Sequence, residues 1–248
     1  MNRILAIIFI LTISVTSIFF FIFAVIIRII TAPFDRRLVV LHQFTSFWAS
    51  FYTWIMPPWR IDIEGREKIR RKATYMVVSN HQSQLDILVA FRLFFHFKWV
   101  SKAEIFRVPL IGWNMYMNRY IRLVRGDKES IAVMLDDAER TLRKGSSVYF
   151  FPEGTRSSDG RLRPFKPGAF MLAKKLEVPI LPIVINGTDK ALPKHSMNFH
   201  GVQHIRVRVL DEIPPSSFAD MSVDETSDMV REIINTGLGN LKIEMEGA

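Results

Sequence analysis

The sequence predicts an α/β protein in which a mixed central sheet is covered by helices and is preceded by an N-terminal membrane helix or a two-helix membrane motif. Short apolar runs of strand length recur along the chain, and segments of helix length lie between them. This alternation is typical of a sheet with helices packed on its faces. The chain has 248 residues, 49% of them hydrophobic, which is enough for one core of this kind. We therefore predict a membrane-anchoring segment at residues 1–58 and one globular domain at residues 59–248.

The first apolar segment has the length of a membrane anchor. Residues 4–27 contain no charged side chain. As a helix they extend about 36 Å, which exceeds a hydrocarbon core of about 30 Å, so a tilted helix can span it. A secretory signal has a shorter apolar region and a small-residue cleavage site, which this segment does not clearly show. We expect the segment to be retained as an anchor.

A second apolar stretch, residues 38–56, is rich in aromatic residues and is interrupted by polar ones. Aromatic residues at this density are typical of the headgroup interface or of a shallow hairpin in the membrane. Its composition leaves three placements open: at the interface, across the membrane, or in the protein core. The aromatic residues are Phe44, Phe47, Trp48, Phe51, Tyr52 and Trp54, and the polar ones are His42, Gln43, Ser46 and Ser50.

Arginines between these two stretches bear on topology. Arg28, Arg36 and Arg37 are opposed only by Asp35. If both stretches crossed the membrane, these arginines would lie on the side opposite the globular domain. The positive-inside rule disfavours that arrangement when the domain is cytoplasmic. We therefore expect one span or one in-plane hairpin at the inner (cytoplasmic) membrane, with the globular domain on the cytoplasmic side.

The chain is basic, with a formal charge of +9 and a sequence pI near 9.9. Lys and Arg are in excess at residues 98–128 and 156–175, whereas residues 211–248 are acidic. Such a basic surface favours anionic partners, which include phospholipid headgroups, a phosphorylated substrate and an acidic acyl carrier protein. No helix-turn-helix, zinc-finger or RNA-module signature is present, so nucleic acid is not expected as a partner. Cysteine is absent, which excludes disulfides, thiolate nucleophiles and Cys-based metal sites.

The individual elements follow from the apolar pattern. The clearest helix covers residues 128–144, whose apolar side chains fall on one face and which Gly145 can cap. Residues 86–97 are apolar on nearly every side, which indicates a helix that is buried or faces lipid. Residues 224–241 predict a last amphipathic helix, and residues 157–167 a long turn-rich loop. The predicted strands are residues 74–79, 97–101, 120–124, 147–151, 180–185 and 205–210.

A histidine and an aspartate, His81 and Asp86, follow the first predicted strand. On one continuous helix these side chains would point about 140° apart, because each residue turns the helix by about 100°. If a helix instead begins near Ser83, Asp86 lies in its first turn and can reach back to the imidazole. The carboxylate would then fix the histidine tautomer while the other ring nitrogen removes a proton from a hydroxyl. The pair is predicted to be a general base whose nucleophile comes from the substrate.

A second polar motif follows the strand at residues 147–151. It combines an acid, a glycine turn, a hydroxyl and a guanidinium, which suit the binding of a polyol or a phosphate. The motif reads Phe151-Pro152-Glu153-Gly154-Thr155-Arg156-Ser157. Because sites in such folds form where strands end, we expect both motifs at one rim of the sheet.

Signatures of several other site types are absent from the sequence. There is no Gly-x-Ser-x-Gly elbow that would make Ser83 a nucleophile, no P-loop and no dinucleotide fingerprint. His195, His200 and His204 are loosely spaced, and no nearby carboxylate completes a set of ligands. We therefore predict neither a metal site nor a nucleotide site of these kinds.

Three motifs occur in a fixed order: Asn80-His81-Gln82-Ser83 followed by Asp86, then residues 151–157, then Val178-Pro179-Ile180-Leu181-Pro182-Ile183. As a set they resemble the glycerolipid acyltransferases of the lysophosphatidate acyltransferase (PlsC-like) family. The resemblance implies a glycerol-3-phosphate acyltransferase-like fold with residues 59–248 as the catalytic domain. It also implies that a fatty acyl group passes from acyl-ACP or acyl-CoA, as co-substrate and without a cofactor, to the sn-2 hydroxyl of 1-acyl-glycerol-3-phosphate. The product would be phosphatidic acid, a step of phospholipid biosynthesis.

The resemblance also implies roles for individual residues. By the family pattern His81 is the base and Asp86 is its partner. Lys102 matches a basic family position, where it would meet phosphate or the acyl donor, although a solvated surface lysine would look the same. The acceptor site would contain Glu153, Gly154, Thr155 and Arg156, with Arg125 at a further basic family position.

One block departs from the family pattern, which has a glycine, then apolar residues, then a basic residue. Here the block reads Arg119-Tyr120-Ile121-Arg122-Leu123-Val124-Arg125, so that Arg119 replaces the glycine and Arg122 interrupts the apolar run. Additional guanidiniums near a phosphate would strengthen headgroup binding or change which headgroup is accepted.

Three alternative functions stay open from the sequence. The chain could be a remodelling acyltransferase for another lysophospholipid, a hydrolase in which water replaces the acceptor, or a catalytically inactive lipid-binding protein of the same fold. The intact His81, Asp86 and Glu153 argue against an inactive protein. The expected partners are a lysophospholipid, an acyl thioester and the bilayer, with acyl carrier protein as one candidate carrier of the donor.

Overall fold

The computed structural model describes residues 2–157, 161–193 and 202–246, with side chains from residue 7 onward. His195 and His200, and residues 158–160 of the predicted loop, lie outside these ranges. The strands are β1 (Trp59–Glu64), β2 (Met76–Ser79), β3 (Phe97–Lys102), β4 (Ile121–Leu123), β5 (Ser147–Phe150), β6 (Ile180–Asn186) and β7 (Gln203–Val209). The helices are α1 (Asn2–Thr31), α2 (Val39–Trp54), α3 (Leu85–Phe91), α4 (Ile111–Met117), α5 (Lys128–Arg143), α6 (Gly168–Leu176), α7 (Thr188–Ala191) and α8 (Val223–Glu246).

The seven strands form one sheet in the order β1-β7-β6-β2-β5-β3-β4. Neighbouring strands are parallel except β6 and β7, which are antiparallel, so the predicted mixed sheet is confirmed. Every residue of β2, β5 and β6 is buried, as expected for central strands covered on both faces. Because β2 and β5 are parallel neighbours, the segments that follow them emerge side by side at one rim.

Helices cover both faces of the sheet. On one face α2, α3 and α4 pack on large aromatic side chains of the strands, among them Phe97, Trp99 and Tyr149. On the other face α5, α6 and α8 pack on aliphatic strand residues such as Val78 and Val184. Each layer buries the apolar stripe of its helices, which is the main favourable contribution to such packing.

Each predicted strand is present, with its ends within two residues of the predicted positions. Strand β1 was not predicted, although its apolar residues alternate with Arg60, Asp62 and Glu64, a pattern typical of a strand with one buried face. The predicted helix at residues 86–97 is wrong in its second half, since α3 ends at Phe91 and β3 begins at Phe97. Phe94 takes a left-handed backbone with φ of 52°, which interrupts the helix that its apolar character suggests.

Helices α1 and α2 pack against each other as an antiparallel pair. Phe20 of α1 stacks on Trp48 and also contacts Phe51 of α2. The connection between the two helices lies against the globular part of the protein, because Arg37 Nη1 donates a hydrogen bond of 2.6 Å to the carbonyl oxygen of Gly145. The connection is therefore in direct contact with the turn between α5 and β5.

Helix α2 has one face in the protein core and one exposed face, so core packing, one of the three placements left open, is shown for the first face. His42 is completely buried, with Nδ1 2.8 Å from the hydroxyl of Tyr120 and Nε2 3.0 Å from the carbonyl oxygen of Phe95. Phe47 and Trp54 are exposed on the other face. Because α2 shares a core with the sheet, the boundary between residues 1–58 and 59–248 stays a prediction.

Arg119 occupies a position that suits glycine. It follows α4 with φ of 55°, and its N–H donates to the Tyr116 carbonyl while the N–H of Tyr120 donates to that of Met115. These two bonds form a Schellman motif, which needs a left-handed residue and usually takes glycine. The glycine of the family pattern therefore has a backbone explanation at this position.

Candidate active site

His81 and Asp86 lie together at the rim where β2 ends. His81 belongs to the loop after β2 and Asp86 to the first turn of α3, and His81 Nδ1 lies 2.8 Å from Asp86 Oδ2. The same oxygen accepts the backbone N–H groups of Gln82 and Ser83 at 2.7 and 2.9 Å. An oxygen that accepts this many donors acts as a carboxylate, which assigns the ring proton to Nδ1 and leaves the lone pair on Nε2.

The imidazole of His81 is held by aromatic stacking as well as by Asp86. The ring of Phe151 stacks on it at 4.0 Å between centroids, and Trp99 in turn stacks on Phe151 at 5.4 Å. Among the residues that the structure describes, none forms a hydrogen bond with Nε2. This nitrogen is therefore available to a bound hydroxyl.

Glu153 is buried and serves the main chain around His81. Its Oε1 accepts the backbone N–H of His81 at 2.7 Å, and its Oε2 accepts that of Arg163 at 3.0 Å. Burial raises the pKa of Glu153 to about 7, although the two N–H donors oppose the shift. Glu153 is not one of the described residues that line the cavity beside His81. Its predicted contact with the acceptor stays a prediction, while its bond to the loop of His81 is a structural fact.

The remainder of the second motif forms a turn beside His81. Gly154 has φ of 68°, a left-handed conformation that glycine adopts without strain. The turn is tied to the first motif, because the N–H of Ser157 donates to the His81 carbonyl at 2.9 Å. Arg156 lines the cavity, whereas Gly154 and Thr155 are not among its described lining residues.

A cavity of about 680 Å³ opens beside His81, within the range of small-molecule sites. Apolar side chains of α1, α2, α3, β3 and the region of α4 form most of its wall. The polar residues that line it are Thr45, His81, Gln84, Ser101, Lys102, Glu104, Asn114, Arg125 and Arg156. The apolar ones are Ile13, Trp48, Ala49, Tyr52, Ile87, Leu88, Phe91, Trp99, Val100, Ile105, Val108, Ile111, Met115, Tyr120 and Phe151.

The solvent side of the cavity is charged. Lys102, Glu104 and Arg125 are exposed, and Lys102 Nζ lies 3.0 Å from Glu104 Oε1. Desolvation lowers the pKa of Arg125, and the positive charge of Arg156 lowers it further while Glu104 opposes the shift. Two guanidiniums close enough for the charge of Arg156 to lower the pKa of Arg125 favour an anion between them. Arg119 and Arg122, which depart from the family pattern, are exposed and are not among the described lining residues.

Sequence reasoning missed two contacts of the His81–Asp86 pair. One is the stacked ring of Phe151, which is the first residue of the second motif but gave no signal of its own. The other is Thr188, whose hydroxyl donates to Asp86 Oδ1 from the start of α7. Within the described ranges, no group of three His, Asp or Glu side chains is arranged to hold a metal ion.

Comparison with known proteins adds a family and several relatives. Residues 60–186 match the family model described as Acyltransferase. The chain is 42% identical over 205 residues to the chloroplastic 1-acyl-sn-glycerol-3-phosphate acyltransferase BAT2 of Brassica napus, covering 82% of this chain and 58% of that protein. It is 32% identical over 192 residues to 1-acyl-sn-glycerol-3-phosphate acyltransferase alpha of Ovis aries, covering 76% and 66%. The chain thus spans about three-fifths of the length of its chloroplastic relatives.

A solved structure has the same fold over nearly its whole length. It is the 1-acyl-sn-glycerophosphate (LPA) acyltransferase PlsC from Thermotoga maritima, with a TM-score of 0.80 at 25% sequence identity. The match covers 97% of this chain and 96% of that one, so it includes the N-terminal helices as well as the sheet.

Proposed function

This chain belongs to the acyltransferase family, and we propose from that premise that it moves a fatty acyl group from an acyl thioester to the sn-2 hydroxyl of 1-acyl-glycerol-3-phosphate. The resemblance carried by the three motifs is confirmed by the family match. The observation that carries the proposal is the oriented imidazole of His81 on a cavity with apolar walls and guanidiniums at its solvent side. A lysophosphatidate combines an apolar chain, a phosphate and a free hydroxyl, which are the groups that this site can accommodate.

In the proposed reaction Nε2 of His81 removes the proton of the sn-2 hydroxyl as the hydroxyl oxygen attacks the thioester carbonyl carbon. The carbon–sulfur bond then breaks, and the imidazolium returns the proton to the departing thiolate. Asp86 stabilises the imidazolium between these two events. The substrate supplies the nucleophile, so no acyl group is attached to the protein. Acyl-ACP and acyl-CoA are both proposed donors, since the basic surface attracts either anionic carrier.

Thiol release from the donor tests this proposal directly. Purified protein in mixed micelles is given acyl-CoA or acyl-ACP with lysophosphatidate, with lysophosphatidylcholine, or with no acceptor. We expect thiol release and phosphatidic acid formation with lysophosphatidate and little release without an acceptor. Faster release with lysophosphatidylcholine would indicate a remodelling enzyme, release without acceptor a hydrolase, and no release with either donor an inactive lipid-binding protein.

We expect Arg125→Ala and Arg156→Ala to raise the KM for lysophosphatidate about 10–100-fold, because each loses a charge-assisted contact with the phosphate. The KM for the donor should change little, and lysine should rescue poorly because it cannot bind a phosphate through two parallel N–H bonds. Arg122→Ala is the matched control, since Arg122 is exposed on β4 and is not a described cavity residue. If the donor KM rises instead, the two arginines bind the carrier and their proposed role is reversed.

The protein is further proposed to work at the cytoplasmic face of a membrane. Among the described residues, helix Ile7–Thr31 is long and apolar enough to cross a membrane by length and composition. Its outward face is exposed, with Phe19 and Ile29 as examples. The contact of Arg37 with Gly145 supports a position of the arginine-rich connection on the same side as the catalytic domain, and the positive-inside rule then favours the cytoplasm for both.

Deleting residues 1–30 is expected to leave the protein largely membrane-associated, with release aided by high salt or mild detergent. The reason is that α2 keeps an exposed apolar face with Phe47 and Trp54, and the basic surfaces add about 1 kcal/mol per well-placed Lys or Arg. When Phe47→Ser and Trp54→Ser are both added to this truncated protein, we expect the protein to move to the soluble fraction on ultracentrifugation. Val133→Ser, an exposed site on α5 at the other face of the sheet, should not.

Deleting residues 1–58 removes α2 and with it the fully buried Leu41 and His42, so we expect an insoluble protein with little activity on bilayer substrate. Recovery of the 1–30 deletion as a monodisperse soluble protein in low salt would show that α1 alone is the anchor.

A further inference from the structure

Thr188 contacts the oxygen of Asp86 that His81 does not use. Its Oγ1 donates a hydrogen bond to Asp86 Oδ1, whereas Oδ2 accepts from His81 and from two backbone N–H groups. Both Thr188 and Asp86 are completely buried. The hydroxyl therefore binds the carboxylate at a place where solvent cannot substitute for it.

A second anchor on the carboxylate matters because its torsion is soft. The bond between Cβ and the carboxyl carbon of an aspartate has broad minima, so the group turns easily when one oxygen is free. The donors to Oδ2 all come from the loop at residues 81–83. The bond from Thr188 holds the opposite oxygen, so the plane of the carboxylate is fixed relative to Nδ1 of His81.

The segment that carries Thr188 is fixed relative to the loop after β2. The side chain of Asn80 donates to the Ile185 carbonyl at 2.7 Å and accepts the Ile185 N–H at 2.9 Å. At the other end of α7, Ser83 Oγ donates to the Leu192 carbonyl at 2.7 Å. These bonds flank Thr188 in the sequence, so its distance to the loop is set from both sides.

Gly187 provides the turn that brings Thr188 to Asp86. It has φ of 88°, and a Cβ at this position would lie 2.2 Å from the carbonyl oxygen of His204. Neither the conformation nor the space admits a side chain, so the residue before Thr188 is restricted to glycine.

We propose that Thr188 is a positioning residue for acyl transfer, which acts by holding the Asp86 carboxylate against the imidazole of His81. Thr188 is not among the described residues that line the cavity, so it acts through Asp86 and not on the substrate. The inference rests on the proposed function of His81 as the general base.

Thr188→Val removes the hydroxyl with little change of volume and is expected to lower kcat about 10–100-fold, with the KM of both substrates nearly unchanged. Thr188→Ser should recover most of the rate, because it restores the donor. Since Thr188 and Asp86 act as one unit, adding Thr188→Val to Asp86→Asn should slow the enzyme little further. Thr226→Val is the matched control: Thr226 is also completely buried, but its hydroxyl donates to the carbonyl of Ser222, which precedes α8, at 2.8 Å.

A Thr188→Val protein with wild-type kcat overturns the proposal, and so does an equal loss of kcat in Thr226→Val. If the wild-type protein transfers no acyl group to any acceptor, the proposed function fails and a different measurement decides the role of Thr188. In ¹⁵N-labelled protein, the Nδ1 proton of His81, assigned with His81→Ala, should be protected from exchange in the wild type and in Thr188→Ser but not in Thr188→Val. Equal protection in all three overturns the proposal.

Discussion

Replacing His81 with alanine is expected to lower kcat about 10²–10⁴-fold, the contribution that a general base commonly makes. Nδ1 is held by Asp86 at 2.8 Å and the ring lines the cavity, so Nε2 is the atom placed to take the proton of the acceptor. The fold should survive, because the lost packing is mainly the stack on Phe151. Thiol release measures kcat and circular dichroism checks the fold. His204→Ala, at an exposed histidine of β7, is the control for loss of an imidazole.

Asp86→Asn is expected to lower kcat by at least about 10²-fold, as loss of the orienting carboxylate does in comparable triads. An asparagine oxygen can still accept from His81 while its NH₂ faces the Thr188 hydroxyl, which can accept, so the structural change is small. The charge that stabilises the imidazolium is lost. Asp136→Asn, an exposed residue whose carboxylate lies 3.2 Å from Arg140, is the matched control.

A folded His81→Ala protein that keeps most of its rate would show that the base is assigned to the wrong residue.

Elements with a strong local pattern were predictable from the sequence. The six apolar strands and α5 have periodicities that tertiary contacts reinforce, and they are present with small shifts at their ends. Strand β1 also has a local signal, since its charges alternate with apolar residues, but its pairing with β7 is set by residues more than a hundred positions away. The antiparallel step between β6 and β7 likewise depends on a long connection and not on either strand. Local propensity cannot specify such pairings.

The site was predictable where its residues are close in sequence. The turn that lets Asp86 reach back to His81 follows from the spacing of the two residues, and the structure has this geometry, although their catalytic role stays a prediction. Thr188 reaches the same carboxylate from 102 residues away, so spacing carries no information about it. The motif around Glu153 predicts a polar site, but it does not tell which groups the Glu153 carboxyl contacts. The partners are main-chain N–H groups of His81 and Arg163, which depend on the fold.

Glu153→Gln is expected to lower turnover, and to lower stability most at about pH 5, where the carboxyl is protonated but both of its oxygens can still accept an N–H. Glutamine can accept one of the two N–H donors with its carbonyl oxygen, but its NH₂ group then faces the other. A buried N–H without an acceptor costs about 1–3 kcal/mol of stability. If the N–H of His81 is the one that loses its acceptor, the loop shifts and displaces the imidazole, so we expect kcat to fall at least about tenfold. Glu225→Gln is the matched control, because Glu225 also accepts a backbone N–H, from Ser222 at 2.6 Å, but is exposed. Its effect should stay within about 0.5 kcal/mol.

The pH dependence of this loss identifies the charge state of Glu153. The folded pKa is raised by burial from an ordinary value of 4.5 to about 7, so below pH 4.5 the carboxyl is protonated in both the folded and the unfolded state. Between pH 4.5 and about pH 7 the unfolded chain loses a proton that the folded protein keeps. The free energy of unfolding therefore falls as the pH rises, by about 3 kcal/mol in all. Glutamine does not titrate. In thermal unfolding in micelles, the advantage of the wild type over Glu153→Gln should therefore narrow from about pH 5 to about pH 8. A constant advantage would mean that the carboxylate is ionised throughout and is stabilised by its two N–H donors.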